Sequence, residues 1–327
     1  MYYADNPIVV TPNLNKGTSS MWIDAFPSGS VCRQLEVRVN YGSSQRQYKF
    51  KTEVDSVPVP FDISSSARAE LRNDYLRAPG TARTSSRSAN VYAVASWLLS
   101  GVHYEAPVNL KMEDGSTYSR NVNIEVRAGG LPASLRWEGY TSNTYNSLKP
   151  IADEVCNMGD TYYHNGSSVV LNTSNFPTLA TSPNITIDGR SIYVENDPDR
   201  RMMVFLNSFC EFETFSLKEL ESLSYGISTE KRSLVSSPSF VPGPNAIAIH
   251  SDPVASFKMS SGWLTREWLE WVLTEFCKSS RHWLMQGGRL LPVLVTPEQS
   301  TLIYDKSDPS LVSIDFTVES ALSGPIL

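Results

Sequence analysis

The stretch SGWLTREWLEWVLTEFCKSSRHWLMQGGRLLPVLV, residues 261–295, carries the strongest secondary-structure signals in the chain. Its apolar residues recur first at the spacing of an amphipathic helix, at Trp268, Leu269, Val272, Leu273 and Phe276. Thr265 is the predicted N-cap, because its hydroxyl can accept from the free amides of the first turn. The pattern therefore predicts a helix over residues 265–278 with one wide apolar face that a sheet must cover.

Strands are predicted directly after this helix. Residues 282–285 and 289–295 are apolar runs joined by Gln286-Gly287-Gly288, in which the glycines can adopt positive φ without steric cost. Residues 311–318 then alternate between apolar and polar side chains, which is typical of a strand with one buried face. The C-terminal part of the chain is therefore predicted as a helix packed on an antiparallel sheet.

The sequence patterns in the remainder of the chain also predict strands with a few short helices. Alternating residues at 31–41, 48–54 and 118–126 indicate strands, and residues 64–76 indicate a short helix. Pro150, with apolar residues spaced behind it, predicts another short helix at 150–158. We predict a mainly β fold (β-rich α+β), with two antiparallel β-domains that each carry a packed helix and are joined by a less regular middle segment. The predicted divisions are 1–130, 131–200 and 201–327.

Composition excludes several classes of function. The chain has 327 residues, is 41% hydrophobic and has a net charge of -6 without a basic run, which argues against a nucleic-acid-binding surface. No apolar run approaches the ~18 residues that span a bilayer, and the first residues do not resemble a secretory signal. The four widely spaced cysteines are predicted to be buried free thiols. We expect synthesis in a cytoplasm, with no nucleic-acid or membrane partner.

Catalytic motifs are missing from the sequence. It contains no G-x-S-x-G nucleophile motif and no phosphate-binding glycine pattern, and its four histidines lack metal-ligand spacing. His282 is the most notable of them, because it lies between the predicted helix and Trp283. Glu211 and Glu213 lie two apart on a predicted strand and could form a glycosidase-like pair, although the solvated face of a strand is the favoured interpretation. We predict no enzyme, no cofactor and no metal site.

The tryptophans are the main candidates for binding. Exposed aromatic rings can stack on sugars or anchor a protein partner, because they offer a large apolar area at a small entropic cost. Trp268 is assigned to the core face of the helix, whereas Trp271 lies at the edge of that face and Trp263 precedes the cap. The candidate interface residues are Trp263, Trp271 and Trp283.

A resemblance to a known class rests on the order of several segments. MVFLN at 203–207 leads into FCEFE at 209–213, SGWLTRE follows at 261–267, and LPVLV at 291–295 precedes the closing strand IDF at 314–316. This order, with VPFDIS at 59–64, resembles tail-associated structural proteins of tailed bacteriophages and of prophages of gut anaerobes. The resemblance covers about 130 residues well, and it transfers no active-site residues.

The resemblance implies a particle component that works through protein–protein interfaces. Such a protein is made in the bacterial host cytoplasm, assembles with copies of itself or with other tail proteins, and ends in a virion or tail-like particle. We therefore predict a non-enzymatic structural or assembly protein of the tail or baseplate type. The alternative is a carbohydrate-binding or adhesin-like module that uses exposed aromatic residues on a glycan; a glycosidase built on Glu211 and Glu213 is the third hypothesis.

Overall fold

The structure is a computed structural model that describes most, but not all, of the chain. The described residues are 1–13, 26–42, 46–54, 59–84, 86–131, 148–233, 246–298, 303–304 and 311–321. Within these ranges, residues 221–233, 246–255 and 303–304 are described by their backbone alone. The sequence also predicts a turn at 305–309, from its Asp, Ser and Pro residues, and that segment lies outside the described residues.

The chain divides into two compact units. The first comprises Met1–Thr144 with Ser208–Cys210, and the second comprises Tyr145–Asn207 with Glu211–Leu327. Residues 145–207 thus group with the C-terminal part of the chain. The three-part division at about 130 and 200 stays a prediction.

The first unit is built on one nine-stranded sheet. Its main path runs β1-β9-β6-β7-β2-β5, while β3 pairs with β4 and β6, and β8 pairs with β7. All of these pairs are antiparallel except β1 with β9. The strands are β1 (Tyr2–Tyr3), β2 (Val9–Asn13), β3 (Val31–Tyr41), β4 (Gln47–Glu53), β5 (Phe61–Asp62), β6 (Arg87–Leu99), β7 (Val102–Met112), β8 (Thr117–Tyr118) and β9 (Asn121–Arg127).

Two short helices take the place of the single helix predicted at 64–76. They are α1 (Ser64–Glu70) and α2 (Arg72–Leu76), and Leu71 between them is buried. The Asp62 carboxylate accepts from the backbone amides of Ile8 and Ser64, so it fixes the start of α1 against the sheet strand that follows Ile8. The amphipathic spacing therefore predicts the helical region at the correct position, but it does not predict the interruption of the helix at Leu71.

The second unit contains a closed antiparallel barrel with the strand order β15-β16-β17-β22-β19-β18. Smaller pairings precede it: β10 is parallel to β14, β13 is antiparallel to β14, and β11 pairs with β12. The strands are β10 (Glu154–Asn157), β11 (Thr161–His164), β12 (Ser167–Val170), β13 (Asn184–Ile187), β14 (Arg190–Glu195), β15 (Arg200–Leu206), β16 (Phe212–Ser233), β17 (Ala246–Ser260), β18 (His282–Gln286), β19 (Arg289–Pro297), β20 (Ile303–Tyr304), β21 (Val312–Ser313) and β22 (Asp315–Ser320).

The helix predicted at 150–158 is wrong, because residues 154–157 form β10. Burial alternates along β10, with Glu154 and Cys156 buried and their neighbours half-buried. Val155 and Met158 fit a helical spacing, but a segment this short fits a period of two equally well. The sequence fitted both a helical period of 3.6 residues and a strand period of two, and the structure shows the strand.

The helix predicted at 265–278 packs its apolar face into the barrel core of the second unit. It consists of α3 (Arg266–Trp271) and a π-helical turn at Val272–Phe276, in which the Cys277 amide donates to the Val272 carbonyl. Thr265 is its N-cap residue, but the Thr265 side chain makes no capping hydrogen bond. The core cluster joins Trp268, Trp271, Val272 and Phe276 to side chains from all six barrel strands.

The predicted apolar face of this helix needs one correction. Leu273 is 43% exposed, whereas Trp271 is buried. Residues 268, 271, 272 and 276 follow the spacing i, i+3, i+4 and i+8, and Leu273 at i+5 lies about 140° from the first of them at about 100° per residue. Trp271 therefore belongs to the buried face, at one edge of it, and Leu273 lies on the solvent side.

The mainly β character of the chain is confirmed by these sheets. The hairpin predicted at 282–295 is formed by β18 and β19, whose pairing ends with Gln286 opposite Arg289. All four cysteines are free thiols, as predicted, but only Cys156 and Cys210 are buried, while Cys277 is half-buried and Cys32 is exposed. None of the helices among the described residues is long and apolar enough to cross a membrane.

Candidate functional site

A pocket in the second unit combines an exposed tryptophan with buried polar groups. Its volume is about 460 Å3, and it lies between the residues leading into β10, strand β16 and the turn before α3. Its walls combine aromatic rings with hydroxyl, carboxylate and cationic groups. The residues that matter most for its chemistry are Asp153, Glu154, Arg200, Ser216, Lys218, Trp263, Thr265 and Trp268. We call this site the Trp263 pocket.

Of the three predicted interface tryptophans, one is exposed. Trp263 is 52% exposed at the Trp263 pocket, while Trp271 is 3% and Trp283 is 6% exposed. The expectation that Trp271 is exposed is wrong, because that ring packs edge-on against Phe205 in the barrel core. Trp283 packs against Phe212, with the Arg281 guanidinium over its ring. A role at an interface stays a prediction, and only Trp263 offers the surface for it.

The turn at residues 260–264 fixes the position of Trp263. Gly262 adopts φ +67°, a left-handed conformation that suits glycine, and its amide donates to Ser260 Oγ at 3.2 Å. Leu264 exchanges backbone hydrogen bonds with Val312 of β21 in both directions, at 2.7 and 3.0 Å. The exposed indole therefore stands on a backbone that is anchored on both sides of it.

Ser216 contributes a buried hydroxyl to the pocket wall. Along β16, Phe215 and Leu217 belong to the core cluster, and Ser216 lies between them with 7% exposure. Its Oγ has no hydrogen-bond partner among the described residues. A buried hydroxyl without a partner costs free energy relative to water, and Ser216 is a lining residue of the pocket that carries one.

A buried ion pair lies behind the pocket wall. The side chain of Lys149 is fully buried, and its Nζ donates to Glu154 Oε1 and to the Thr214 carbonyl, both at 2.7 Å. Tyr162 donates its hydroxyl to the other carboxylate oxygen, Glu154 Oε2, at 2.9 Å. Nζ also lies within 6 Å of the Trp268 and Trp271 ring centroids. Burial, with the Glu154 carboxylate adding to it, holds the pKa of Tyr162 far above its usual value.

A second buried chain continues from this ion pair. Arg190 donates to the Lys149 carbonyl through Nη2, and its Nη1 lies 2.5 Å from His164 Nε2. Because arginine can only donate, Nε2 accepts and the proton of the neutral imidazole is on Nδ1. That atom lies 3.5 Å from Glu213 Oε1, and the Glu213 side chain is fully buried. The hydrogen bond between Arg190 and His164 therefore joins β14 to β11, and His164 Nδ1 lies near Glu213 of barrel strand β16 without a hydrogen bond to it.

The structure revises what the sequence suggested for the carboxylates and histidines. Glu211 and Glu213 are both buried, so their assignment to a solvated strand face is wrong. His282 is also buried, and its Nε2 donates to the Phe276 carbonyl at 2.9 Å. Burial lowers the pKa of His282 to about 4, which the hydrogen bond to Phe276 only partly opposes, so the ring is neutral near pH 7. Within the described ranges, no group of His, Cys, Asp and Glu side chains could hold a metal ion.

Sequence reasoning did not find Ser216 or Lys149. Ser216 lies between two apolar residues of a strand, and this pattern normally predicts that the polar side chain faces solvent. Lys149 gave no signal, because its carbonyl acceptor Thr214 is 65 positions away. Only the folded chain buries both residues and brings Lys149 to the Thr214 carbonyl.

Strands β16 and β17 also form a long ribbon. β15 pairs with β16 as far as Lys218, and β22 pairs with β17 as far as Ser256, which lies opposite Ser224. Beyond these points, 225–233 and 246–255 pair with each other, and no other strand among the described residues pairs with them. At about 3.3 Å per residue, this part of the ribbon is roughly 30 Å long. We call it the β16–β17 ribbon.

Comparisons with known proteins give no relative from which a role could be transferred. No family model, no curated protein and no solved structure matches this chain.

Proposed function

We propose that this protein is a non-enzymatic structural component of a larger assembly, of the bacteriophage or prophage tail or baseplate type. The observation that carries the proposal is the β16–β17 ribbon, in which both outer edges lack a strand partner among the described residues. An unpaired strand edge presents a row of backbone donors and acceptors that can pair with a strand of another chain. A component with such an element is suited to work by binding copies of itself or neighbouring proteins.

The phage context of the proposal rests on the order of segments in the C-terminal part of the sequence. The proposal implies synthesis in a bacterial host cytoplasm and a final location in a virion or tail-like particle. The non-enzymatic part rests on the lack of catalytic motifs in the sequence and on the buried positions of Glu211 and Glu213. The two carboxylates therefore do not form an exposed pair on a strand face.

The experiment that tests self-assembly removes the ribbon and leaves the barrel. Residues 225–255 are replaced by Asn-Gly, a two-residue turn that suits a hairpin between Ser224 and Ser256. Light scattering over a wide concentration range and negative-stain microscopy should show defined oligomers or rings for the full chain and a monomer for the variant. Circular dichroism checks that the variant still contains the barrel. Equal mass distributions for the two proteins would contradict self-assembly through the ribbon.

Carbohydrate binding is the second candidate function. The observation that favours it is the exposed Trp263 ring at a pocket that also contains hydroxyl and carboxylate groups. A groove of several coplanar rings, as a long glycan would require, is not supported by Trp271 and Trp283, because both are buried. A site for a single sugar ring is the form of this function that suits the described residues.

A further inference from the structure

We infer that the Trp263 pocket binds one ring of a neutral saccharide. The inference rests on the second candidate function, carbohydrate binding, and does not depend on assembly through the β16–β17 ribbon. It specifies the place, the chemical class and the charge of the ligand.

The aromatic part of the pocket fits the apolar face of a sugar ring. Trp263 is half exposed and held by the anchored turn, while Trp268 is buried and lines the same pocket. A pyranose has a face of C–H groups that packs against an indole, and hydroxyls around its edge that require polar partners. The pocket volume of about 460 Å3 lies within the usual range of small-molecule sites, roughly 300–1,000 Å3.

The polar part of the pocket fits the edge of the ring. The unpartnered Oγ of Ser216 can both donate and accept, as sugar hydroxyls can, so the two groups would satisfy each other. Asp153 and Thr265 are exposed at the same pocket and supply an acceptor and a second hydroxyl. A ligand without hydroxyls would leave the buried Ser216 oxygen unsatisfied, which makes a purely apolar ligand unfavourable.

The charges of the pocket favour a neutral ligand. Its two cations already have carboxylate partners: Arg200 Nε donates to Glu195 Oε1 at 2.9 Å, and Lys218 Nζ lies 3.4 Å from Asp197 Oδ2. Glu154 is neutralised by the buried Lys149. Asp153 then adds a negative charge at the opening, where it would repel a uronic acid or a phosphate.

The test uses the full chain and a panel of methyl glycosides of glucose, galactose, mannose and N-acetylglucosamine. Binding is measured by saturation-transfer NMR and by titration of tryptophan fluorescence. We expect at least one neutral glycoside to bind with a Kd on the order of 1 mM, as suits a small ligand with one ring stack. Methyl glucuronide should bind more weakly than the matching glucoside. Preferential binding of the glucuronide, or no binding of any neutral glycoside, would overturn the inference.

Variants separate the ring stack from the hydroxyl contact. Trp263→Ala should weaken binding about tenfold or more, and Trp263→Phe should weaken it less, because a smaller ring remains. Ser216→Ala should weaken binding about threefold to tenfold. Tyr193→Ala is the matched control, since Tyr193 is an exposed aromatic residue of the same unit that does not line the pocket, and its affinity should be unchanged.

The same variants distinguish a sugar site from a protein interface. Light scattering of Trp263→Ala should give the mass distribution of the unsubstituted chain. A changed mass distribution together with unchanged sugar binding would assign Trp263 to a protein interface and overturn the inference. Loss of sugar binding at an unchanged mass would support the sugar site whether or not the ribbon drives assembly.

Discussion

Each unit contains a cluster of charged residues around one buried ion, and the two clusters differ in how much water reaches them. In the first unit the carboxylate of Glu36 lies between Arg38, Lys49 and Lys51, and the two lysine side chains are about half exposed. In the second unit Lys149 is fully buried and its partner Glu154 is 5% exposed. The first cluster lies on a sheet surface, and the second lies inside a core.

The difference shows that similar charges have different effects in the two places. Burial alone would raise the pKa of Glu36, but hydrogen bonds from Lys51 and Arg38 outweigh burial and lower it. Water screens those partners, so each exposed pair adds little to stability. Around Lys149, by contrast, a missing partner cannot be replaced by water, and the loss of either ion leaves an uncompensated buried charge. Substitutions in the two clusters should therefore have unequal effects.

The largest effect is expected for Lys149→Met. The thioether chain fills much of the space of the lysine stem, but Glu154 keeps a buried negative charge without its cation. We expect the free energy of unfolding to fall by about 3–5 kcal/mol. Urea unfolding of the full chain measures the change. A loss under about 1 kcal/mol would show that the buried pair behaves like the surface cluster.

The next effect is a difference in pH dependence between the buried His282 of the second unit and Glu36 of the first unit. The folded-state pKa of His282 is lowered to about 4, so between about pH 6.5 and 4 the unfolded chain binds more protons there. Stability from this group is complete above about pH 6.5 and is lost as the pH falls through that window. Glu36 behaves differently: its lowered pKa gives stability that is complete above about pH 4.3 and is lost only below it.

His282→Gln isolates the histidine contribution, because a glutamine amide can still donate to the Phe276 carbonyl. Between pH 7 and pH 4 the unsubstituted chain should lose roughly 2–3 kcal/mol more stability than the variant. The comparison with the variant is needed because burial raises the pKa of Asp160 to about 6, which acts in the opposite direction over the same window. Urea unfolding at several pH values gives the difference. Parallel pH curves would contradict the neutral state of His282.

A smaller effect is expected for Tyr162→Phe. This change removes the hydroxyl that donates to Glu154 Oε2 and leaves that buried oxygen without this donor. The expected loss is about 1–2 kcal/mol. Tyr48→Phe in the first unit is the matched control, since its hydroxyl donates to Glu70 at 2.8 Å in a half-buried setting, and its loss should be under about 1 kcal/mol. Equal losses would remove the distinction between the two environments.

The sequence could predict those features that depend on local periodicity. The strands at 31–41 and 282–295 and the helix near 265–278 recur where their patterns indicated, because apolar spacing identifies which face is covered. The predicted apolar face of the helix included Leu273 because that residue is hydrophobic. The buried face is formed by Trp268, Trp271, Val272 and Phe276, which leaves Leu273 on the solvent side. The sequence also correctly separated Trp268, as a core residue, from Trp263, which is exposed.

The candidate site was less accessible to sequence reasoning, because its groups come from distant parts of the chain. Asp153, Ser216 and Trp263 line one pocket although about 110 positions separate the first from the last. The fully buried Glu213 lies 3.5 Å from His164, which belongs to a different strand. Charged residues on an alternating strand normally indicate solvent, and only the packing of β11 against β16 makes this strand an exception.

The smallest effect is expected for Lys51→Ala in the first unit, and it tests the screened side of the comparison. Lys51 Nζ lies 2.7 Å from Glu36 Oε2, but its side chain is 55% exposed, and Arg38 still contacts the carboxylate. We expect a loss of at most about 1 kcal/mol at 50 mM salt. At 1 M salt the Debye length falls to about 3 Å, so the loss should become smaller still. The loss from Lys149→Met should be nearly the same at both salt concentrations, because ions do not reach a fully buried pair. A salt-independent loss for Lys51→Ala would mean that Glu36 is as inaccessible to water as Glu154, and the two clusters would then be of one kind.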